Sequence, residues 1–332
     1  IDQSSCNKDF SCLNGFCPSF VTVHGAKLRK AEGRAGDADP LEGVPDPTPF
    51  PLDSDGWASI IDGVGCTGVV TIGAILGMAA HLEGKGCGMI DMAGLAQKGG
   101  SVFSHVRIAA TPADIHAIRV SAGKADLILG CDLVVSGSRK VMAVVRENHT
   151  IFVANTAEIM PGEFTRSADY TLPVERLKKA IRAAAGEKNA HFFDATGTAA
   201  ALFGNSLGAN MLMLGFACQH GGLPLSPQAI ERAIGLNGQA VSMNVAAFRW
   251  GRRAGHDPEF VRKLVDRSAE DTPAAATLDE VISRRAAFLT AYQDAAYAAR
   301  YLDRVEAVRD VENRAVAGST VVTEAVARNL FR

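Results

Sequence analysis

The chain has 332 residues, of which 47% are hydrophobic and 21% are charged, and its formal net charge is −2. This composition is typical of a globular protein with one large or two modest domains, and the balanced charge excludes the basic surface of a nucleic-acid-binding protein. The longest apolar stretch, residues 69–82, contains two glycines and a histidine and is too short to span a membrane. We therefore expect a cytoplasmic protein. Because it begins at Ile1 without a signal peptide and ends at Arg332 in a helical pattern, we expect part of a longer chain.

Residues 1–24 form a polar segment with three cysteines, Cys6, Cys12 and Cys17, the last followed by a proline. Polar neighbours cannot bury these thiols, and a reducing cytoplasm disfavours disulfides. Thiolates on irregular backbone, ending in a Cys-Pro pair, are more typical of a [4Fe-4S] cluster than of a zinc site, which usually has C-x-x-C pairs. A complete cluster needs four thiolates, so we expect the fourth ligand outside this chain. The other four cysteines lie in apolar segments, where cysteine commonly serves as a small buried hydrophobic residue: Cys66, Cys87, Cys131 and Cys218.

Residues 25–56 are charged and rich in glycine and proline, and they predict an extended linker without regular elements. From Trp57 onward, apolar strands alternate with helices. The further predicted strands lie near residues 87–91, 102–108, 126–130, 151–155 and 191–194, and the predicted helices cover residues 67–82, 136–146 and 172–185. This alternation predicts an α/β domain over residues 57–200, with a doubly wound, mainly parallel sheet and a binding crevice at the carboxyl ends of its strands.

After about residue 196 the strand patterns stop, and a C-terminal helical extension is predicted over residues 201–332. Its predicted helices cover residues 207–220, 227–237, 239–254, 258–267 and 278–311. The last of these carries four aromatic side chains, which we interpret as a core or interface stripe rather than a cofactor site: Phe288, Tyr292, Tyr297 and Tyr301.

The sequence Gly63-Val-Gly65-Cys-Thr-Gly68 matches the G-x-G-x-x-G pattern between a predicted strand and a predicted helix. Glycines there let the backbone approach a ligand, and the first N–H groups of the helix favour an anion. We therefore take Gly63, Gly65, Thr67 and Gly68 as candidate cofactor-binding residues. With Asp91 at the end of the second strand, the pattern also fits an NAD(P)-dependent dehydrogenase. A third interpretation is that the glycines only permit close packing of the strand and the helix.

A second candidate segment follows Asp91, where Gln97 and Lys98 precede two glycines. An amide, an ammonium group and a flexible backbone suit a phosphate, a carboxylate or a charged protein surface. His105, on the next strand, is predicted to be a hydrogen-bonded residue of the sheet rather than a catalytic base. Asn155 and Glu158 follow a later strand and are expected at the same edge of the sheet.

Motifs that would place a reaction centre in this chain are absent from the sequence. There is no H-E-x-x-H helix or Walker loop, and no Gly-Asp-Gly signature for the magnesium ion of thiamine diphosphate. We therefore predict no catalytic residue here.

The cysteine run, the linker and the glycine turn, in this order, closely resemble the C-terminal part of the fused indolepyruvate:ferredoxin oxidoreductases, members of the 2-oxoacid:ferredoxin oxidoreductase superfamily. The strings GVGCTGVVTIGAILGMAAHLEGKG, DMAGLAQKGGSVFSHVRIA and LGCDLVV resemble their gamma-type domain. The string IDQSSCNKDFSCLNGFCPSFVTVHG resembles the end of their ferredoxin-like segment, and AFRWGRRAGHDP resembles the helical region behind the gamma-type domain. The resemblance covers essentially the whole chain.

This resemblance implies an oxidoreductase that decarboxylates arylpyruvates, transfers the acyl group to coenzyme A and passes electrons through [4Fe-4S] clusters to ferredoxin. Thiamine diphosphate and magnesium would belong to partner domains or subunits, and we expect an oligomer. Cys6, Cys12 and Cys17 would be cluster ligands, while the glycine turn and the Gln97-Lys98 loop would face the catalytic core, where contact with coenzyme A is a hypothesis. Cys66 stands where a glycine is expected, which would narrow the approach to the turn. The alternatives are the dehydrogenase and a non-catalytic interaction module.

Overall fold

The computed structural model describes residues 25, 39–65, 68–93, 100–158, 171–270 and 277–330. The chain forms two compact units, Ile1–Val265 and Asp266–Arg332. Across the described parts of the chain, no helix combines the length and apolar character needed to cross a bilayer.

In the described residues of the first unit, six strands form one sheet in the order β2-β3-β1-β4-β5-β6. The strands are β1 (Trp57–Val64), β2 (Gly86–Ala93), β3 (Ser101–Ala109), β4 (Leu127–Gly130), β5 (Ile151–Asn155) and β6 (Ala190–Phe193). Strand β3 is antiparallel to both of its neighbours, whereas β1, β4, β5 and β6 pair in parallel. The connection from β2 to β3 is short, and a short connection permits only an antiparallel pair.

Helices cover both faces of this sheet, which confirms the predicted α/β fold with a mainly parallel, doubly wound sheet. The helices of the first unit are α1 (Val69–Leu82), α2 (Leu133–Ser136), α3 (Arg139–Met142), α4 (Val174–Ala185), α5 (Ala195–Phe203), α6 (Ala209–Gln219), α7 (Pro227–Asn237) and α8 (Val241–His256). Helix α9 (Pro258–Glu270) follows them.

Two apolar cores lie on opposite faces of the sheet, because successive strand residues point to opposite sides. On one face, Trp57 and Ile61 of β1 pack with α1, α6 and α8. On the other face, Ala58 and Ile60 pack with residues of β5 and α4. Helix α6 is buried on all sides at residues 211–218, so it forms the centre of the first core.

Glycines bring α6 and α8 unusually close together. A Cβ atom at Gly215 would overlap the backbone carbonyl oxygen of Phe248, and one at Gly251 would overlap that of Leu212. The two backbones therefore touch directly, without side chains between them.

The described part of the predicted linker packs on the first unit as a proline-rich strap, residues 44–53. The buried Arg252 guanidinium donates hydrogen bonds to the Asp46 carboxylate at 2.8 Å and to the Pro45 carbonyl oxygen at 3.2 Å. Farther along, the Phe50 N–H donates to the Leu223 carbonyl oxygen at 2.8 Å. Proline has no backbone N–H, so the strap has few hydrogen-bond donors. It is held mainly by the Arg252 guanidinium and the Leu223 carbonyl oxygen.

Two predicted helices differ from those observed, and one observed helix is not among the predictions. The predicted helix over residues 136–146 is wrong, because Asp132 caps the short helix α2 and Gly137 ends it before α3 begins. Helix α5 is not among the predicted elements; the Asp194 carboxylate starts it by accepting the Gly197 N–H. The predicted helix over residues 278–311 is two separate helices of the second unit, Leu278–Tyr292 and Ala295–Ala315.

The second unit contains α10 (Leu278–Tyr292), α11 (Ala295–Ala315) and α12 (Val321–Asn329). Its small core includes Tyr301, whose hydroxyl donates to the Ala327 carbonyl oxygen at 2.9 Å. The helical conformation is interrupted between α10 and α11 because Asp294 caps the start of α11. This break separates the predicted aromatic stripe: Tyr301 is buried, whereas Phe288 and Tyr292 are exposed.

The boundary between the two compact units falls in the chain after Val265, so helices α5–α8 belong to the unit that contains the sheet. The division drawn from the sequence, with segments 1–24, 25–56, 57–200 and 201–332, stays a prediction.

Candidate functional site

The glycine turn lies at the carboxyl end of β1, as predicted. Gly63 is buried within β1, and the Gly65 N–H donates to the Gly100 carbonyl oxygen at 2.8 Å. This bond joins the end of β1 to the start of β3. Gly68 then begins α1 with φ at +75°, a left-handed conformation that favours glycine.

The first turn of α1 offers backbone donors that no other residue of the helix accepts. Gly68 provides no side-chain cap, and the first intrahelical bond of the helix runs from the Ile72 N–H to the Gly68 carbonyl oxygen. The N–H groups of residues 69–71 therefore have no partner within the helix, and the helix dipole adds a partial positive charge. No acidic residue lies in this first turn, so the position favours an anion.

Asn210, at the start of α6, contacts the same turn. A Cβ atom at Gly68 would overlap the Asn210 side-chain nitrogen. The Asn210 side-chain oxygen accepts the Met211 N–H at 2.9 Å, which leaves its amide group directed at Gly68. No sequence pattern indicates this residue, because it comes from a helix far along the chain.

Asn155 lies at the predicted edge of the sheet but serves the fold. Its amide nitrogen donates to the Thr196 hydroxyl at 2.9 Å and to the Cys131 carbonyl oxygen at 3.3 Å. Its side-chain oxygen accepts the N–H groups of Ala157 and Ala195, both at 3.2 Å. Since all of its hydrogen-bonding groups are used, Asn155 joins the ends of β4, β5 and α5 and offers nothing to a ligand. Glu158 is exposed beyond β5.

A buried acid, Asp62, lies in β1 just before the glycine turn. Its side chain is on the sheet face opposite α1, the same face as Ala58 and Ile60. The Ser136 hydroxyl donates to its Oδ1 at 2.8 Å, while Oδ2 has no hydrogen-bond partner among the described residues. Burial raises the pKa of Asp62 well above its ordinary value, and the Asp132 carboxyl nearby raises it further. The neutral acid is therefore favoured. An acid within the apolar string WASIIDGV was the signal in the sequence that could have identified it.

Asp91 does not occupy the position that a dinucleotide site requires. In the predicted dehydrogenase, the second strand would lie next to β1, but β3 lies between β1 and β2. The Asp91 carboxylate accepts a hydrogen bond from the Ser104 hydroxyl at 2.6 Å. The dehydrogenase interpretation based on Gly63, Gly65, Gly68 and Asp91 is therefore wrong.

His105 is buried in β3, and its prediction as a hydrogen-bonded sheet residue is confirmed. Its Nδ1 accepts the Val120 N–H at 3.1 Å. Burial lowers the pKa of His105, and the Arg119 guanidinium lowers it further. The ring is thus neutral near pH 7.

The described cysteines agree with their predicted role as small hydrophobic residues. Cys131 and Cys218 are buried and Cys87 is half-buried, and all three are free thiols on different elements. Burial raises the pKa of Cys87 to about 11 and that of Cys218 to about 12, and it also raises the pKa of Cys131. Within the described ranges, no three His, Cys, Asp or Glu side chains converge to hold a metal ion.

Several predicted site residues lie outside the described residues. They are Cys6, Cys12, Cys17, Cys66, Thr67, Gln97 and Lys98. Their roles stay predictions.

Comparison with known proteins identifies two matching family models. Residues 58–254 match the family described as pyruvate ferredoxin/flavodoxin oxidoreductase. Residues 278–332 match a family of unknown function, DUF6537.

Among curated proteins, the chain is similar to indolepyruvate oxidoreductase subunit IorB from two archaea. It is 29% identical to that of Methanothermobacter thermautotrophicus over 191 residues, which cover 57% of this chain and 92% of the relative. It is also 29% identical to that of Pyrococcus horikoshii over 202 residues, 60% of this chain and 95% of the relative. Among solved structures, the gamma subunit of a keto/oxoacid ferredoxin oxidoreductase from Geobacter sulfurreducens aligns with 60% of this chain and 98% of its own, at 20% identity and a TM-score of 0.43.

Proposed function

This chain belongs to the pyruvate ferredoxin/flavodoxin oxidoreductase family, and from that premise we propose that it supplies the gamma-type domain of an arylpyruvate:ferredoxin oxidoreductase. The observation that carries the proposal is the family match across most of the first unit. The name of the IorB relatives supports indolepyruvate or a related arylpyruvate as the substrate.

The proposed reaction breaks the bond between the carboxyl carbon and the keto carbon of the 2-oxoacid. Carbon dioxide leaves, the acyl group forms a thioester with coenzyme A, and two electrons pass to two oxidised ferredoxins with release of a proton. Thiamine diphosphate, held with magnesium by partner domains or subunits, would supply the carbanion chemistry. This chain would then close one side of the reaction site and support the transfer of electrons from that site to ferredoxin. The whole assembly would be cytoplasmic.

The glycine turn is the proposed contact for coenzyme A. The N–H groups at the start of α1, which have no partner within the helix, support an anion there, because they direct backbone donors and the positive end of the helix dipole at a ligand. Lys98, on the adjoining loop of the sequence, would add a permanent positive charge toward a phosphate.

Lys98→Ala in the intact enzyme tests this contact. We expect the KM for coenzyme A to rise about tenfold, because one charged hydrogen bond is lost, with the KM for the 2-oxoacid unchanged. Lys124→Ala is the matched control, since Lys124 is an exposed lysine on another loop. An unchanged KM for coenzyme A in Lys98→Ala would remove the contact from the proposal.

The cluster would be held by Cys6, Cys12 and Cys17. Cluster ligands are thiolates, and the described cysteines fit poorly, because burial keeps them protonated and they lie on separate elements. The polar cysteine run of the sequence has the donor chemistry that a cluster needs.

Anaerobic purification of the intact enzyme with Cys12→Ser tests this assignment. We expect the iron content, the acid-labile sulfide content and the visible absorbance of the enzyme to fall by the amount that one [4Fe-4S] cluster contributes. Cys87→Ala, which changes a half-buried thiol of β2, should retain all three signals. Full iron and sulfide content in Cys12→Ser would exclude these cysteines as ligands and favour the interaction module.

A further inference from the structure

A small cavity lies on the sheet face opposite α1. Its volume is about 160 Å³. The residues that line it are Ile60, Met92, Phe103, His105, Arg119, Val120, Lys140 and Val144. Because Ile60 of β1 pairs with His105 of β3, both side chains lie on this same face.

The cavity has an apolar floor. Ile60 and Phe103 are buried side chains of the sheet, and Val120 and Val144 close the sides from two loops. The volume is comparable with that of the engineered apolar cavity of about 150 Å³ that binds benzene. A group of about that size therefore fits within the floor.

Among the described residues, the rim carries positive charge without a matching negative charge. Arg119 and Lys140 are exposed, and neither forms an ion pair with a carboxylate of the described residues. The Lys140 ammonium lies 5.6 Å from the centre of the Phe103 ring, so it stands directly over the floor. None of the eight lining residues is acidic.

His105 adds a donor of fixed orientation. Since its Nδ1 accepts the Val120 N–H at 3.1 Å, the neutral ring carries its hydrogen on Nε2. The lining thus offers a guanidinium, an ammonium group and an imidazole N–H around apolar walls. A few polar groups on a mainly apolar pocket are typical of small-molecule sites.

We propose that this cavity binds a small organic carboxylate, with its apolar body between Ile60, Phe103 and Val120 and its carboxylate between Arg119 and Lys140. The apolar floor argues against inorganic phosphate, which would leave those walls unfilled. The cations argue against a neutral hydrocarbon. This inference is independent of the proposed coenzyme A contact, because none of the eight lining residues belongs to the glycine turn or to α1.

Calorimetric titration of the intact enzyme with three probes tests the proposal. Benzoate combines a benzene-sized body with a carboxylate, benzamide is its neutral analogue, and inorganic phosphate is an anion without an apolar body. We expect benzoate to bind with one site per chain and at least about tenfold more tightly than either other probe.

The double variant Arg119→Gln/Lys140→Gln should weaken benzoate binding at least about tenfold. Both side chains are exposed, so the fold should survive. Arg139→Gln/Lys124→Gln is the matched control, because it removes the same charges from exposed positions that do not line the cavity. It should leave the affinity unchanged.

Failure of benzoate to bind would overturn the proposal. Equal weakening in both double variants would also overturn it, because binding would then depend only on net charge. Phosphate or benzamide affinity equal to that of benzoate would show that the apolar floor or the cationic rim is not used, and would overturn it as well.

Discussion

Gly68 combines a left-handed backbone conformation with a close contact to the Asn210 side chain. Its φ of +75° costs other residues about 1–2 kcal/mol, and the Asn210 amide occupies the space where a Cβ atom would go. We expect Gly68→Ala to lower the free energy of unfolding by about 2 kcal/mol or more. Gly84→Ala is the control, because Gly84 has a φ of +71° and no atom lies within 4 Å of the place where its Cβ would be. Urea denaturation should show a larger loss of unfolding free energy for Gly68→Ala than for Gly84→Ala. Equal losses would mean that the Asn210 side chain moves aside at no energetic cost.

Two stacked histidines make the stability of the first unit sensitive to acid. The rings of His191 and His220 lie 3.8 Å apart, and the His220 ring also contacts Phe216 at 4.6 Å. Burial, together with His191, lowers the pKa of His220 to about 4, and burial lowers that of His191. Below about pH 6.5, therefore, these two histidines bind protons in the unfolded chain but stay neutral in the folded chain until the pH is lower.

We expect the unfolding free energy to be constant above pH 6.5 and to fall between pH 6.5 and 4, by up to about 1.4 kcal/mol per pH unit for each proton. Urea denaturation at several pH values measures this slope. His220→Asn should reduce the slope, whereas His116→Asn, at an exposed position, should keep it. An unchanged slope in His220→Asn would exclude the pair as its source.

Single residues differ in how far the sequence could predict them. Gly63, Gly65 and Gly68 stand out because their spacing matches a known turn between a strand and a helix. Asn210 reaches that turn only through the packing of α6 beside α1, and no local pattern reports such a contact. Asp91 misled the interpretation because the sequence does not tell which strand lies beside β1.

At the scale of elements, the contact of α6 with α8 depends on two glycines. Gly215→Ala should lower the unfolding free energy by several kcal/mol, because the new methyl group would press against the Phe248 carbonyl and separate the helices. Gly235→Ala is the matched control within α7, where nothing lies near the added methyl group. It should stabilise the protein by up to about 1 kcal/mol through helix propensity. Thermal and urea unfolding compare the two, and a neutral Gly215→Ala would contradict this packing.

Long periodic helices could be predicted from the sequence, but short ones could not. Helix α1 follows from an apolar run behind a glycine turn, and α7 follows from Ser226 and Pro227 at its start. Helices α2 and α3 have four residues each, too few for periodicity to show. Only the capping aspartate Asp132 marks where the first of them begins.

At the scale of the molecule, each compact unit has a core of its own. In the second unit, the Glu312 carboxylate accepts hydrogen bonds from Ser319, Val322 and Thr323, which hold the start of α12. The hydroxyls of Ser319 and Thr323 lower the pKa of Glu312 to about 2. Its contribution to stability is therefore present above about pH 4.5 and is lost as the pH falls towards 2.

Glu312→Gln should weaken the second unit alone, because the glutamine amide cannot accept all of these bonds. Hydrogen exchange should become faster in α12 and stay unchanged in β1. Glu306→Gln, an exposed position of the same helix α11, should leave both rates unchanged. Faster exchange in β1 with Glu312→Gln would show that the two units unfold together.

The boundary between the two compact units could not be predicted from the sequence, for a physical reason. Strand patterns end near residue 196, which suggests a boundary, yet the helices that follow cover one face of the sheet. Only the three-dimensional packing of α6 and α8 reveals that they complete the same core.

The central position of α6 has a consequence for how the protein is made. As the chain leaves the ribosome, Trp57 and Ile61 are followed at once by α1, but α6 and α8, which complete the same core, arrive only when residues 209–256 have been synthesised. Until then, a wide apolar surface stays open to water and to other nascent chains. A chain released at residue 200 should therefore aggregate or be held by chaperones, and folding should become productive only after α8 is complete.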